Sequence, residues 1–299
     1  MEERGISVVV STYDDPMNFV RQCVDSILPQ KNVGEIIIVD SSKKDEIRTF
    51  CKYLGNDKIN YVHVPPRGLS DARNKGVEIA KNDIVAFTDS DCIIDENWAY
   101  NICISFGLFN NSFTDSLVYS PTKDVAIVGG KVLPKWLSKP NKILLNSVIA
   151  QGFYSLFDMG EELKEVEQIF GGNFAIDKNL ITGKLFSTDV GRKKGNLLGG
   201  EESMLCMHTR DIGLKIIYNP KIVVWHQIPE ERSKSSWMWK RLYYGGINRA
   251  SVGGKPTPRV VNSPYNICDA VFLMIFITPY IYGFIKTRLE KGDMCVEKY

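Results

Sequence analysis

The sequence lacks any closely spaced pair of cysteines, although seven cysteines occur among its 299 residues. A Cys-x-x-Cys pair would indicate a zinc site or a redox motif, and an odd number does not suit a fully paired disulfide framework. Most of these cysteines stand at apolar positions of expected helices or strands. We therefore expect reduced thiols in the core of a cytoplasmic protein, with neither a disulfide framework nor a zinc site.

The sequence also lacks an excess of charge of either sign, because the net charge is only +2. This balance neither favours nor excludes a nucleic-acid partner. Internal repeats and low-complexity segments are absent. The first residues lead directly into a strand, which predicts no signal peptide. The length of 299 residues and the 44% share of hydrophobic residues suit one large domain, or a domain with an appendage.

The first half of the chain alternates apolar strands with helices. We predict strands at 6–10, 35–39, 59–64 and 84–89, with helices between them. Strands that are apolar throughout indicate a parallel sheet covered by helices on both faces, which is an α/β fold. Ligands of such sheets bind beyond the carboxyl ends of the strands. Thr12, Asp40, Arg67 and Asp89 stand at those ends, so we expect them to converge on one site.

The fourth strand ends at two carboxylates, Asp89 and Asp91, separated by Ser90. Alternate residues of an extended chain project to the same side, so the two carboxylates face one way. Two oxygen ligands suit a divalent cation that holds a diphosphate, since Mg²⁺ keeps its other positions for water and phosphate oxygens. The plainer interpretation is that Asp89 caps the following helix.

The second half has a different pattern. A strand at 125–133 contains Gly129 and Gly130, which predict the close approach of another backbone. We expect a helix over 141–158, a strand over 170–176, and paired strands at 215–218 and 222–226. A further helix should begin at Glu201 and Glu202, directly after two glycines.

Several stretches resemble, in the same order, the motifs of family 2 glycosyltransferases with the GT-A fold. They are residues 10–13, 38–41, 67–76, 89–91, 171–174, 200–203 and 224–226. Each motif is short, but their shared order along residues 5–228 is specific. The resemblance implies a Rossmann-like mixed sheet in a catalytic domain over 1–228. It also implies an enzyme of the hexosyltransferase class that transfers a sugar, with inversion, from a nucleoside-diphosphate sugar.

The resemblance further implies the residues of the donor site. The nucleotide side would comprise Ser11, Thr12, Tyr13, Asp40, Arg67, Arg73, Asp89 and Ser90. Asp91 would ligate Mn²⁺ or Mg²⁺ directly, Asp89 would hold the ribose or a metal-bound water, and His226 would be a further metal or phosphate ligand. Such a metal would neutralise the charge that grows on the leaving diphosphate. A salt bridge on a helix face remains open for Arg73, as does a structural role for His226.

On the acceptor side the resemblance places Gly172, Asn173 and Glu201, with Glu202 as the catalytic base. An inverting transfer needs a carboxylate that removes the proton of the acceptor hydroxyl. Adjacent helical residues point about 100° apart, so only one of Glu201 and Glu202 can face the acceptor.

The other glutamate would cap the helix or pair with a cation such as Arg192. Asp177 and Asp189 are further candidates for the base. The family usually has Glu-Asp at this position, so Glu202 departs from the pattern, and the choice between Glu201 and Glu202 stays open.

The Gln-x-x-Arg-Trp signature of processive polysaccharide synthases is absent, which favours a single transfer. We expect a lipid-linked saccharide or polyprenyl phosphate as acceptor, in polysaccharide or glycolipid biosynthesis. The alternatives are a soluble or protein acceptor, or a catalytically silent sugar-nucleotide-binding protein. A sugar nucleotidylyltransferase would need a glycine-rich, basic loop after the first strand, and residues 11–16 do not form one.

Residues 229–299 predict a helical, membrane-associating appendage. A helix from 233 to about 250 would place Trp237, Lys240, Arg241 and Tyr244 on one face, which suits a membrane surface, although an amphipathic core helix is the alternative. Residues 267–285 form a nearly uncharged run, just long enough to span a bilayer.

Basic residues flank this run on both sides, and a single crossing would carry one basic cluster outside, against the positive-inside tendency. We therefore expect a segment that lies in, or re-enters, the cytoplasmic leaflet, with a span or a buried helix as alternatives. The expected location is the cytoplasmic face of the cell membrane, peripheral or anchored, with no nucleic-acid partner.

Overall fold

The structure of the protein is a computed structural model. It describes residues 5–108, 123–181, 183, 185–188, 197, 199–251 and 266–296. The candidate base Asp189 and the candidate ion-pair partner Arg192 lie outside these residues.

The first half of the chain alternates strands with helices, as the sequence predicts. Its elements are β1 (Ile6–Thr12), α1 (Met17–Ile27), β2 (Val33–Asp40), α2 (Glu46–Leu54), β3 (Ile59–His63), α3 (Leu69–Ile79), β4 (Ile84–Asp89), β5 (Cys92–Ile94) and α4 (Trp98–Ser105). Almost all residues of β1, β2 and β4 are buried, as expected of apolar central strands. Helix α3 packs tightly on β1 because Gly76 has no side chain: a Cβ there would lie 2.5 Å from Val9 Cγ1.

The second half is longer and less regular. Its elements are β6 (Val125–Trp136), α5 (Lys142–Asn146), α6 (Val148–Phe153), β7 (Lys164–Glu165), β8 (Asn173–Asp177), α7 (Glu201–Asp211), β9 (Lys215–Ile228), a 3₁₀ helix (Glu230–Ser233), α8 (Ser235–Ser251) and α9 (Ile267–Val296). The single helix expected over 141–158 is wrong. It is divided at Ser147, whose hydroxyl accepts a hydrogen bond from the Ala150 N–H and thereby begins a new helix.

The expectation of paired strands at 215–218 and 222–226 is also wrong, because both segments belong to the single strand β9. The two parts of β9 pair with β6 in different registers. Asn219 and Pro220 lie at the change of register and not in a hairpin turn. Gly130 makes this possible, since a Cβ there would lie 1.9 Å from the Ile222 carbonyl oxygen. The predicted close approach of a second backbone is confirmed.

The strands form one mixed sheet in the order β3-β2-β1-β4-β8-β6-β9-β5, with β7 paired to β9. Strand β1 is parallel to β2 and β4, whereas β8 is antiparallel to β4 and β6. The carboxyl end of β4 therefore lies beside the start of β8, where Asn173 faces Thr88. The mixed α/β sheet confirms the predicted fold class.

Helices α8 and α9 cross closely at two glycines. A Cβ on Gly246 would lie 2.0 Å from the Tyr280 carbonyl oxygen, and one on Gly283 would lie 2.3 Å from the Tyr243 carbonyl oxygen. Each glycine thus admits the backbone of the other helix. The two helices form a tightly packed pair.

The start of α9 is anchored to the rest of the protein by the fully buried Asp269. Its Oδ1 accepts hydrogen bonds from the Ser147 hydroxyl at 2.7 Å and the Ile149 N–H at 3.0 Å, and its Oδ2 accepts one from the Asn266 N–H at 2.9 Å. Although burial opposes ionisation, these hydrogen bonds lower the pKa of Asp269. The carboxylate therefore stays charged and joins α9 to the junction of α5 and α6.

By length and composition α9 could cross a membrane. The candidate segment Ile267–Glu290 has a mean hydropathy of 1.8, and about a third of its apolar stretch is buried. One face of the helix is buried, with aromatic residues spaced by four: Phe272, Phe276, Tyr280 and Phe284. The opposite face exposes large apolar side chains, here called the outer stripe: Ile267, Met274, Ile275, Tyr282, Ile285 and Leu289.

Helix α8 forms as predicted, but part of its expected membrane face contacts the protein. The Trp237 ring stacks on Tyr154 with centroids 5.2 Å apart. Arg241 donates hydrogen bonds to the carbonyl oxygens of Phe153 and Leu197. The interpretation of this face as a membrane surface is wrong for Trp237 and Arg241.

Candidate active site

A pocket of about 330 Å³ opens beyond the carboxyl ends of β1 and β4, and this volume suits a small-molecule ligand. The parallel register places Ser11 of β1 beside Asp89 of β4. The predicted site residues that line the pocket are Ser11, Thr12, Tyr13, Arg73, Asp89, Ser90, Asp91, Gly172, Glu201 and Glu202. Asp40, Arg67, Asn173 and His226 do not line it.

The side chain of Asp89 is 42% exposed, and that of Asp91 is 15% exposed. Asp89 Oδ1 lies 3.2 Å from Arg73 Nη2. Gly172 allows the start of β8 to approach Asp89, since a Cβ there would lie 3.3 Å from Asp89 Oδ2. Asp91 lies just before β5, and its Oδ2 is 3.3 Å from His226 Nε2 and 3.2 Å from Arg232 Nη2.

His226 on β9 is held in one tautomer. Its Nδ1 lies 3.0 Å from the Tyr154 carbonyl oxygen, which can only accept, so Nδ1 carries the proton. Nε2 therefore carries the lone pair, which accepts a hydrogen bond from Arg232 Nη1 at 2.9 Å, and Asp91 Oδ2 lies 3.3 Å from the same nitrogen. Metal-binding histidines are typically oriented by such a hydrogen bond from the other ring nitrogen.

The side chains of Asp91 and His226 suit a divalent cation that is ligated by both the protein and a diphosphate. Within the described residues no three His, Cys, Asp or Glu side chains converge as a complete metal site. Mg²⁺ bound together with phosphates needs only one or two protein ligands. Asp91 Oδ2 and His226 Nε2 offer an anionic oxygen and a nitrogen lone pair, and a guanidinium already lies against both. The pair therefore attracts a cation.

Arg73 on α3 connects the strand-end carboxylates with the start of α7. Its buried guanidinium lies 3.2 Å from Glu201 Oε1 and 2.9 Å from the Gly171 carbonyl oxygen, as well as beside Asp89. Burial opposes this charge, but Asp89, Glu201 and Glu202 outweigh it and raise the pKa of Arg73. The arginine remains a cation that joins the two walls of the pocket.

Glu201 and Glu202 have different surroundings, as the helical geometry predicts. Glu201 is 3% exposed and paired with Arg73. Both glutamates line the pocket, but Glu202 is the more exposed of the two, and its Oε2 has no hydrogen-bond partner among the described residues. A carboxylate oxygen of this kind can accept a proton from a bound hydroxyl. The other candidate, Asp177, stands at the far end of β8, opposite Ile84 at the start of β4.

Asp40 and Asn173 are engaged within the sheet. The fully buried Asp40 accepts hydrogen bonds from the Tyr61 hydroxyl at 2.9 Å and the Ser42 N–H at 2.8 Å. Asn173 accepts one from the Trp98 indole and donates to two carbonyl oxygens on β6 and β9. Arg67 is exposed in the loop between β3 and α3.

The pocket also contains residues that the sequence analysis did not assign to it, namely Asp15, Arg232 and Arg241. The position of Asp15 shortly before Pro16 predicts a cap of α1, but Asp15 makes no such capping hydrogen bond. It accepts hydrogen bonds from the Ser90 hydroxyl and the Tyr13 N–H, and its burial raises its pKa. Both arginines follow β9, and Arg241 belongs to the helix face for which the sequence predicts a membrane surface.

Comparison with known proteins defines the class of this fold. A mannosyltransferase from Pyrobaculum calidifontis in complex with GDP-mannose and Mn²⁺ is 16% identical, and the match covers 98% of this chain and 75% of that chain with a TM-score of 0.56. GalNAc-T7 with UDP, GalNAc and Mn²⁺ is 15% identical with a TM-score of 0.55, where 83% of this chain spans about half (51%) of that one. The protein has the GT-A fold.

The sequence comparisons name the family. Residues 7–104 match the model of glycosyl transferase family 2. A glucosyl-dolichyl phosphate glucuronosyltransferase from Haloferax volcanii is 25% identical over 257 residues, which are 82% of this chain and 76% of that protein. The chain is a glycosyltransferase whose donors are nucleotide sugars, and its residues 7–104 are similar to family 2.

Proposed function

We propose that the protein transfers a sugar, with inversion, from a nucleoside-diphosphate sugar to a lipid-linked saccharide or polyprenyl phosphate at the cytoplasmic face of a membrane. The observation that supports this most is the placement of carboxylates on two walls of one pocket. Asp89 and Asp91 stand at the strand ends, and Glu202 stands at the start of α7.

The strand-end wall binds the diphosphate of the donor. Asp91 and His226 would hold a Mn²⁺ or Mg²⁺ ion, and the chemistry that such an ion would supply is Lewis-acid neutralisation of the charge on the leaving diphosphate. Asp89 holds the ribose or a metal-bound water. The Ser11 hydroxyl, enclosed and without a hydrogen-bond partner among the described residues, is available to the nucleotide.

The opposite wall activates the acceptor. Where the acceptor is a saccharide, Glu202 Oε2 takes the proton of its hydroxyl while the hydroxyl oxygen forms its bond to the anomeric carbon and the bond to the diphosphate breaks. A polyprenyl phosphate oxygen is already ionised and attacks without a base. Glu201 also lines the pocket, but it is assigned a different task because its Oε1 is paired with Arg73. Its role is to fix Arg73 and the start of α7.

The lipid nature of the acceptor is supported by the outer stripe of α9. Six large apolar side chains lie exposed along one face of a helix whose opposite face is buried. A helix of this kind lies in the interface of a bilayer with its apolar face in the lipid. The Haloferax relative is named a glucosyl-dolichyl phosphate glucuronosyltransferase, which supports a lipid-linked acceptor here.

Paired variants of the two glutamates test this function. Donors are first found by thermal-shift measurements with UDP- and GDP-sugars and Mn²⁺, because a ligand that binds the folded state raises its stability. Glu202→Gln should then keep donor affinity but lower transfer by about a hundredfold or more. Glu201→Gln, the matched control, should mainly lower thermal stability. If Glu201→Gln loses transfer at full stability while Glu202→Gln stays active, the base is Glu201.

A further inference from the structure

A guanidinium group lies where the proposed function requires a metal ion. Arg232 belongs to the 3₁₀ helix that follows β9, the strand that carries His226. Its Nη2 lies 3.2 Å from Asp91 Oδ2, and its Nη1 lies 2.9 Å from His226 Nε2. These are the two atoms that would ligate the metal.

The arginine and a metal cannot both use His226. A neutral imidazole has a single acceptor nitrogen, and the hydrogen bond from Nδ1 to the Tyr154 carbonyl oxygen makes that nitrogen Nε2. The same lone pair either accepts the Arg232 hydrogen bond or binds the metal. Two positive charges next to Asp91 Oδ2 would also repel each other. Metal binding at this pair therefore requires Arg232 to leave it.

Arg232 is placed to leave. Its side chain is 25% exposed, it lines the same pocket as Asp89, and its short 3₁₀ helix buries no residue. A metal–diphosphate complex entering the pocket brings phosphate oxygens, and a guanidinium binds phosphates with two parallel hydrogen bonds. The arginine would exchange a carboxylate and an imidazole for a phosphate.

We propose, on the basis of the proposed function, that Arg232 is an exchangeable cation. Without ligand it neutralises Asp91 and occupies His226, and with metal and donor bound it moves to the diphosphate. The protein then binds the metal poorly by itself and well together with the nucleotide. The two affinities are coupled through one side chain, and this coupling is reciprocal.

The test measures Mn²⁺ binding directly, from the electron paramagnetic resonance signal of free Mn²⁺, with UDP and GDP as nucleotide probes. Arg232→Ala should bind Mn²⁺ alone at least about fivefold more tightly, and should bind the diphosphate in saturating Mn²⁺ about tenfold more weakly. Arg232→Lys, which keeps the charge but cannot contact both atoms, should give intermediate Mn²⁺ affinity. Arg232→Lys also keeps the test decisive if the alanine variant misfolds.

Arg241→Gln is the matched control, because it removes a positive charge from the same pocket without vacating Asp91 or His226. Unchanged or weaker Mn²⁺ binding in Arg232→Ala would overturn the exchange, and so would an equal gain in Arg241→Gln. Asp91→Asn separates the two hypotheses. If it leaves Mn²⁺ binding unchanged, the proposed metal site itself is wrong. If it abolishes Mn²⁺ binding while Arg232→Ala has no effect, only the exchange is wrong.

Discussion

Replacing Gly246 with alanine should force α8 and α9 apart. The new Cβ would lie 2.0 Å from the Tyr280 carbonyl oxygen and 2.9 Å from the Phe284 nitrogen. Both are backbone atoms, so no side chain can rotate away. Ordinary contact begins at 3.4 Å, so the helices must separate locally by roughly 1.4 Å.

The expected destabilisation is about 2 kcal/mol. The free-energy cost of overpacking against a fixed backbone should lie at the upper end of its usual range, about 3 kcal/mol. Alanine is about 1 kcal/mol more favourable than glycine in a helix interior, which offsets part of this cost. The aromatic residues on the buried face of α9 would lose contacts, since a gap of 0.5–1 Å forfeits about a quarter to a half of the attraction between packed atoms.

Urea unfolding in a mild detergent, followed by circular dichroism, measures this loss. Gly152→Ala is the control, because a Cβ at Gly152 in α6 meets nothing within 4 Å and should gain up to about 1 kcal/mol. Equal stability of Gly246→Ala and Gly152→Ala would refute the tight crossing.

Glutamate at both Met274 and Ile285 of the outer stripe should release the protein from anionic phospholipid vesicles in a co-sedimentation assay, and unchanged binding would exclude this face as the lipid contact. Asp269→Ala should cost about 3 kcal/mol in urea unfolding, because it leaves a hydroxyl and two N–H groups without acceptors. Since the pKa of Asp269 is lowered on folding, its contribution is complete well above about pH 3.9 and is lost as the pH falls through the folded-state pKa; an acid-unfolding profile that this substitution does not alter would contradict the anchor. Arg73→Met should cost about 3–5 kcal/mol, because it leaves the buried Glu201 carboxylate without its cationic partner. A thermal-unfolding shift as small as that of a surface substitution would argue against the ion pairs of Arg73.

The donor half of the site could be predicted from sequence because its geometry is local. Parallel strands bring their last residues to one edge of a sheet, so the carboxylate at the end of β4 was expected to meet Thr12 of β1, and both residues line the pocket. The same logic predicted that Asp40 would converge on this site, but Asp40 does not line the pocket. Its position at a strand end is visible in sequence, but its hydrogen bonds with Tyr61 and Ser42 depend on the packing of β3.

The residues contributed from beyond β9 could not be found in this way. Arg232 and Arg241 stand in a basic, aromatic segment, and composition alone cannot tell a lipid surface from a phosphate-binding wall. Likewise Asn219 and Pro220 indicate a turn locally. In the structure β9 continues as one strand, with Ile222 packed closely against Gly130 of β6.

The pairing of β5 has a consequence for how the protein is made. Strand β5 pairs only with β9 within the described sheet, Cys92 opposite His226. During synthesis strands β1 to β4 can pair with one another as they leave the ribosome, because domains begin to fold from the N-terminus. Asp91, which directly precedes β5, gains its partners only after the chain between Cys92 and His226 has been translated. A ribosome-bound chain that ends before β9 would hold a nearly complete nucleotide-side sheet and still lack an organised catalytic centre.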